Sequence, residues 1–469
     1  VAKAFLVGAV ALAAVLGGCG GGGAGPDGGQ GGAGSSTGQG GLPTSPQGLS
    51  CSDLFAQDSV QTYALDITAD EWSKIVAEFN NLTALQAGTP FATYHPAVVH
   101  LGSETVDAAV KLHGQSSWLQ TAMFDGDRAK MQFDVAFDQA DPNAKFHGVG
   151  KLVFDMPRSD WTFLHDRLAH SWLRQVGVMA GCAASARLEI NGSYYGLYVV
   201  EEDAGRRLVQ EFFPTNGLGD LWKGGEEPET NSVAADFTRK QAFWNATDLS
   251  SMAAIVDIKG SLTSWAAEAL LNDADGYYGG AHNFYLYDQG SAGMIFLPTD
   301  TDSTFDWLAT FDLPAFDDHP IFFWVARAAP APPPGPHWNI VMADAGWRKK
   351  YADAIAALLA RWNADEIKGW IDTWSQQIAA DVAADPHAWA TPDDFQKAVA
   401  TARAVVDQRA AYLQSFVDCE NGNGADADGD GARWCDDCRD DDPTIHLGAP
   451  ELCNGVDDNC NGAVDEGCM

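Results

Sequence analysis

The chain has 469 residues, is 46% hydrophobic, and sets 28 Lys and Arg against 64 Asp and Glu for a formal net charge of −36. That apolar content excludes global disorder, and the charge excludes nucleic acid and anionic lipid surfaces as partners because both repel such a chain. The length accommodates one or two large units plus smaller modules, and the acidity favours cation binding.

Lys3 precedes an apolar run, Ala4 to Leu16, which ends in Leu16-Gly17-Gly18-Cys19. A short positive region, a hydrophobic stretch and small residues before a cut mark an export signal, and the run is too short to cross a membrane as a helix. Small residues directly before a cysteine resemble the bacterial lipobox. Residues 1–19 are therefore expected to be a lipoprotein signal peptide, with Cys19 lipidated; a plain secretory signal is the other reading. Residues 20–50 are Gly, Ser, Gln and Pro with almost no apolar content, a flexible tether. The expectation is an exported protein at the outer membrane or cell surface, touching membrane through its lipid anchor alone.

Residues 51–418 read as the large domain. Thr62 to Ile67 alternates as a strand, Asp70 is placed to cap a helix through Phe79, and Ala97–Leu101 and Ala108–Leu112 read as paired strands. A Gly/Ser turn follows Lys111. Arg128-Ala129-Lys130 then leads into an alternating strand to Phe137, and Lys151–Phe154 continues the sheet. Trp161, Leu164, Leu168 and Trp172 fall at helical spacing and predict a helix from Trp161 to Val176. Asn191-Gly192 between two alternating runs predicts a hairpin, because that pair accepts positive φ. Glu201 and Glu202 follow it.

The stretch from Asn272 to Phe305 carries the densest chemistry. Asp273 and Asp275 sit in a Gly-rich loop, His282 and Asn283 precede a strand (Phe284–Tyr287), and turn residues separate it from a second strand, Met294–Pro298. Asp300, Asp302 and Thr304 come next. An antiparallel hairpin would bring the first acids and Asn283 beside Asp300 and Asp302, an arrangement suited to a divalent cation and to phosphoryl transfer. Beyond it, residues 330–336 read as a rigid Pro-rich loop, and Ala343–Trp362, Asp365–Ala384 and Pro392–Phe416 as helices. Cys51 and Cys182 could pair, or both could be free and buried.

Several of these runs, in this order, resemble the spore-coat-protein-H (CotH) kinase family. They are Lys130 before its strand, the helix after Arg158-Ser159-Asp160, the run Ile190 to Glu202, Leu221-Trp222-Lys223, the His-Asn-Phe-Tyr-Leu-Tyr run from His282, and Leu-Pro-x-Asp-x-Asp-x-Thr-Phe from Leu297. The resemblance spans essentially Val60 to Phe416. Thr299 stands where the family has an aromatic, and Leu112-His113-Gly114-Gln115-Ser116 replaces its arginine-bearing turn. The resemblance implies an α+β, atypical protein-kinase-like fold, strand-rich first and helical later. It further implies an exported kinase that uses ATP with Mg²⁺ or Mn²⁺ to phosphorylate secreted or surface proteins. Asp275 would accept the substrate hydroxyl proton, with Asp273 as the fallback. Asn283, Asp300 and Asp302 would hold metal, and Lys130, oriented by Glu202, would contact phosphate. The alternative is a catalytically inactive surface protein that uses the same fold for binding or assembly.

Residues 419–469 change character, with six cysteines, fourteen acids and two arginines. So little apolar material needs disulfides, metal or both to fold. Asp426, Asp428 and Asp430 before Gly431, with Asp437 at position 12, match a calcium loop; Asp457, Asn459 and Asn461 form a weaker copy that Asp465 or Glu466 could close. Residues 442–468 resemble a metal-binding repeat of bacterial surface proteins. Cys435-x-x-Cys438 admits zinc, but export and the even cysteine count favour disulfides. The expectation is a small disulfide-stapled module that binds Ca²⁺ structurally.

Overall fold

The structure, a computed structural model, describes residues 51–87, 91–114, 116–156, 158, 160–224, 227–231, 234–277, 281–305, 319–322, 336–461 and 463–467. The signal segment, Cys19, the Gly/Ser tether, the Pro-rich loop ahead of Pro336, Gly462 and Cys468 lie outside the described residues.

The first half is a closed barrel. Its strands are β1 (Gln61–Asp66), β2 (His95–Leu101), β3 (Glu104–Leu112), β4 (Phe133–Ala136), β5 (Lys151–Asp155), β6 (Ala183–Ile190) and β7 (Ser193–Glu202). They run in the order β1-β2-β3-β4-β5-β7-β6. Neighbours pair antiparallel except β1 and β6, whose parallel pairing of Tyr63 with Leu188 closes the ring. Alternating residues such as Tyr63, Leu65, Val110, Phe133, Val135, Leu152, Phe154, Leu188 and Val200 fill it. Asn191 and Gly192 take φ of 51° and 77° at the β6–β7 turn, as the Asn-Gly pair predicts. A disulfide joins Cys51 to Cys182.

Several boundaries differ from expectation for local reasons. Thr68, not Asp70, caps helix α1 (Ala69–Phe79), accepting the Glu71 amide at 3.3 Å; Asp70 lies in the first turn. After α2 (Leu82–Gln86) and β3, the segment from Ser116 to Phe124 forms α3 where only a turn was expected. Helix α4 (His165–Val176) begins four residues later than the expected start at Trp161. The Asp160 carboxylate accepts the amides of Thr162, Leu164 and His165 at 2.7–2.8 Å, and so holds residues 161–164 in an irregular turn. Glu201 and Glu202 lie within β7 and not beyond it.

The second half is mainly helical. After α5 (Arg206–Phe212), α6 (Phe237–Trp244) and α7 (Leu249–Ala253), helix α8 (Ile258–Leu271) is buried along nearly its whole length. Asp257 caps its start, and Asn272, left-handed at φ 56°, ends it. This helix packs on a small sheet ordered β11-β10-β8-β9: β8 (Leu221–Lys223), β9 (Glu227–Pro228), β10 (Phe284–Asp288) and β11 (Met294–Pro298). Helices α9 (Pro336–Met342), α10 (Ala345–Leu359), α11 (Ala364–Ala384) and α12 (Pro392–Asp418) complete the unit. No described helix is long and apolar enough to cross a membrane. The mixed α+β class, strand-rich first and helical later, stands as the sequence predicts; the closed barrel is a finding of the structure.

The last residues are irregular and stapled by Cys419–Cys435 and Cys438–Cys460, and Cys453 is also disulfide-bonded. Both members of the Cys435-x-x-Cys438 pair are thus oxidised. The module docks on the helices: His319 Nε2 lies 3.0 Å from the Trp434 carbonyl, and Arg348 pairs with Asp436 at 3.1 Å.

Candidate functional site

Strands β10 and β11 form the expected antiparallel hairpin, with Phe284 opposite Pro298. The hairpin therefore places Asn283 beside residues 299–302. Asn283 and Asp300 both adopt left-handed backbone, φ 45° and 53°. The Asn283 amide donates to the Asp275 carboxylate at 3.1 Å and to the Asp300 carbonyl at 3.3 Å. His282 Nδ1 stands 3.6 Å from the same Asp275 carboxylate.

The two loop acids part company. Asp275 is 53% exposed and open to an incoming substrate. Asp273 is wholly buried; one oxygen accepts the Asp275 amide at 3.2 Å and the other has no hydrogen-bond partner among the described residues. Burial, then Glu268 and Asp275, push the Asp273 carboxyl well above the usual range. Of the two, only Asp275 can meet a substrate hydroxyl directly.

Behind the hairpin lies a group of acids that sequence spacing does not reveal. Asp155 ends β5, Asp166 is in the first turn of α4, and Glu201 is on β7; with Asp300 and Asp302 they interact electrostatically. Burial and repulsion from neighbouring acids raise all five carboxyls, Asp166 to about 7; for Asp300 the neighbouring acid is Asp275. Asp300 is exposed along part of its side chain, while its carboxyl has protein around it; burial and Asp275 raise it, and Lys223 opposes them. Asp166 fixes the backbone between Asp300 and Asp302, accepting the Thr301 amide at 2.8 Å and its hydroxyl at 2.9 Å. His165 Nδ1 adds a contact to the Asp302 carbonyl at 3.0 Å.

The expected Lys130–Glu202 pair is not formed. Lys130 is fully buried and salt-bridged to Asp385 at 2.7 Å, donates to the Leu197 carbonyl at 2.5 Å, and lies over the Tyr198 ring at 4.4 Å. Desolvation lowers its ammonium against the pull of Asp385. Glu202 is buried beside Arg207 on the opposite side of β7. Because side chains alternate along a strand, its neighbour Glu201 is the residue that turns to the acidic group.

The cation facing Asp300 is instead Lys223 on β8, which pairs with Tyr285 of β10. Burial alone would lower it, but Tyr285, Glu229, Asp300 and Asp203 hold it above the ordinary lysine value. Leu221-Trp222-Lys223 was visible in the sequence, without a role. Lys111 and Lys151 stand nearby in the same charge network, paired with Asp134 at 3.1 Å and Asp203 at 2.9 Å. The His113-Gly114 turn reaches the acids through side chains. Ser117 donates to Gln132 at 2.7 Å, and Gln132 donates to Asp155. Gly114, at φ +75°, has the Gln132 side chain where a Cβ would sit.

In the tail, the Asp426 carboxylate accepts the amides of Gly429 and Gly431 at 2.7 and 3.0 Å and curls the loop. Asp428, Asp430 and Asp437 converge, each with one buried oxygen that accepts no hydrogen bond among the described residues; Asp426, Asp428 and Asp440 form an overlapping group. Burial raises Asp437 to about 6. In the weaker copy, the Asn459 amide donates to Glu466 at 2.6 Å, as does that of Asn461, and the Asn461 amide nitrogen reaches Asp457 at 3.1 Å. Glu466 thus closes this loop, while Asp465 binds the amides of Asn454 and Gly455.

Residues 110–413 match the family model described as CotH kinase protein. Residues 437–466 match one described as “Putative metal-binding motif”. No curated protein matches the chain.

Proposed function

The chain belongs to the CotH kinase family, and from that premise we propose an exported atypical protein kinase that transfers the ATP γ-phosphoryl group to Ser or Thr of secreted or surface proteins. The observation that carries this reading is the meeting of exposed Asp275, Asn283 and Asp300 at one end of the β10–β11 hairpin, facing Lys223. Asp300 and Asp302, two carboxyls that burial raises above the usual range beside the Asn283 amide, suit a divalent ion, so the residues present fit a metal–nucleotide complex. Asp300, Asp302 and Asn283 would hold Mg²⁺ or Mn²⁺. Bound metal–ATP supplies the transferable group and the counter-charge.

The chain's own residues do the rest. Asp275 accepts the proton of the substrate hydroxyl, with Asn283 holding its carboxylate in place. Lys223 supplies positive charge at the phosphates, the role first assigned to Lys130. Lys130 ties the barrel to the helical half through Asp385. The tail binds Ca²⁺ through Asp428, Asp430 and Asp437, and serves structure. Export through residues 1–19 and anchoring at Cys19 complete the proposal, and the net charge of −36 keeps nucleic acid from the surface.

The test is transfer from labelled ATP, with Mn²⁺ or Mg²⁺, to a Ser-rich acceptor. Transfer by the wild type that Asp300→Ala abolishes supports the kinase; no transfer and no nucleotide binding overturns it. The second reading, an inactive surface binding or assembly protein, draws on the engagement of Lys130 by Asp385 and predicts that latter outcome.

A further inference from the structure

A second constellation lies deeper than the hairpin and is not used by the proposed transfer. Asp166 and His170 are one turn apart on the same face of α4, and Glu201 approaches from β7. One ligand atom from each lies within 4.8 Å of the other two. Asp166 and His170 are buried, 2% and 7% exposed. Asp166 Oδ2, His170 Nδ1 and Glu201 Oε1 are each buried, and none takes part in a hydrogen bond among the described residues. Three acceptors that approach this closely without bonding one another leave a large desolvation cost uncompensated.

The surroundings prepare these atoms as ligands. The His170 ring is buried and hydrogen-bonds the backbone of Gly181. Asp166 uses its other oxygen on the Thr301 amide and hydroxyl. Outer contacts of this kind fix the tautomer and orientation of metal-binding side chains. Asp155, Asp300 and Asp302 add negative potential around Glu201. The opposing cations are engaged elsewhere: Arg174 with Glu211 at 2.7 Å, and Lys130 with Asp385.

We propose that Asp166, His170 and Glu201 form a metal site for a first-row transition cation of the Zn²⁺ or Mn²⁺ class, separate from the nucleotide-linked ion. An imidazole nitrogen with two carboxylate oxygens selects such ions over Ca²⁺ and Mg²⁺, which prefer all-oxygen shells. Bonds of about 2.0–2.2 Å place donors on one ion within about 4.4 Å of each other, a spacing these three atoms reach with small rotations. The ion joins α4 to β7. Through Asp166 and Thr301 it also fixes the backbone between Asp300 and Asp302, so its role is positioning.

The site is tested on the full chain, without nucleotide, so the result is independent of whether transfer occurs. Protein loaded with Zn²⁺ or Mn²⁺ and freed of excess is assayed for bound metal by mass spectrometry. The Co²⁺ form is read by its visible absorption, which a nitrogen-containing site makes stronger than an all-oxygen one. The expected result is one ion per chain that His170→Gln and Glu201→Gln each release, with affinity weakened on the order of 100-fold. The tail variant Asp428→Asn and the loop variant Asp275→Asn should both retain it, although Asp275→Asn loses transfer. Unchanged metal content in both His170→Gln and Glu201→Gln, or no ion in the loaded wild type, overturns the proposal. If circular dichroism shows His170→Gln unfolded, the near-isosteric Glu201→Gln decides.

Discussion

The barrel–helix junction and the tail module both gather carboxylates, but they do so by opposite means. In the tail, Asp426, Asp428, Asp430 and Asp437 lie within one short loop, so their spacing along the chain is already their arrangement in space. At the junction, Asp155, Asp166, Glu201, Asp300 and Asp302 come from β5, α4, β7 and the loop after β11, and only the fold brings them together. A local site can form with little support beyond disulfides. A dispersed one requires that the barrel and the helices be held in register, and the buried Lys130–Asp385 bridge is placed to do that.

That contrast can be broken at its strongest point first. Lys130→Met should leave Asp385 buried and unpaired, costing about 3–5 kcal/mol in chemical denaturation. Native-like stability would mean that the junction does not depend on the bridge. Lys223→Met should instead leave stability nearly unchanged and lower phosphoryl transfer by about 100-fold, roughly 2.7 kcal/mol of barrier. If Lys130→Met abolished transfer in a fully folded protein while Lys223→Met did not, the assignments would be reversed. Calcium removal by EDTA should lower the melting temperature of the tail, and Asp428→Asn should mimic it; a melt indifferent to both excludes a structural ion there.

Acid should separate the two regions. His319 donates from Nε2 to the Trp434 carbonyl and accepts the amides of Ile321 and Phe322 at Nδ1, so the docked ring is neutral. Burial and Arg409 depress its pKa to about 4, against the pull of Asp436. A depressed histidine contributes stability that is present above its unfolded pKa near 6.5 and is lost as pH falls toward about 4. Trp434 fluorescence should therefore report loosening of the tail across that window, and His319→Gln should remove the pH dependence. The smallest effect expected is Thr391→Ala at the start of α12, where the Thr391 hydroxyl accepts the Asp394 amide at 3.2 Å: about 1 kcal/mol by thermal melt.

The sequence was most readable where a signal is local. Alternation and the Asn-Gly turn located β6 and β7, and the hairpin of β10 and β11 followed from Asp288–Gly293 turn chemistry. Helix α8 went unread because it is apolar nearly all round and shows no amphipathic face. Barrel closure depends on the parallel β1–β6 pairing, for which no short-range pattern exists. In the site, Asn283, Asp275 and Asp300 were legible through the hairpin. Glu202 was chosen over Glu201 because both follow the same run, and only strand phase distinguishes them. Lys130 and Lys223 likewise differ in depth, and a lysine's depth is a tertiary property.

The Cys51–Cys182 bond has a mechanical consequence. It closes a covalent loop that contains β1 to β5 and α4, its two ends 131 positions apart in the sequence. Tension applied to the chain ahead of Cys51 passes through sulfur directly to Cys182, at the foot of β6. Everything inside the loop, including Asp155 and Asp166, carries none of that load. A pull from the N-terminal side would thus be borne by β6 and the chain beyond it, and could not strip β1 from between β2 and β6 until the disulfide was reduced.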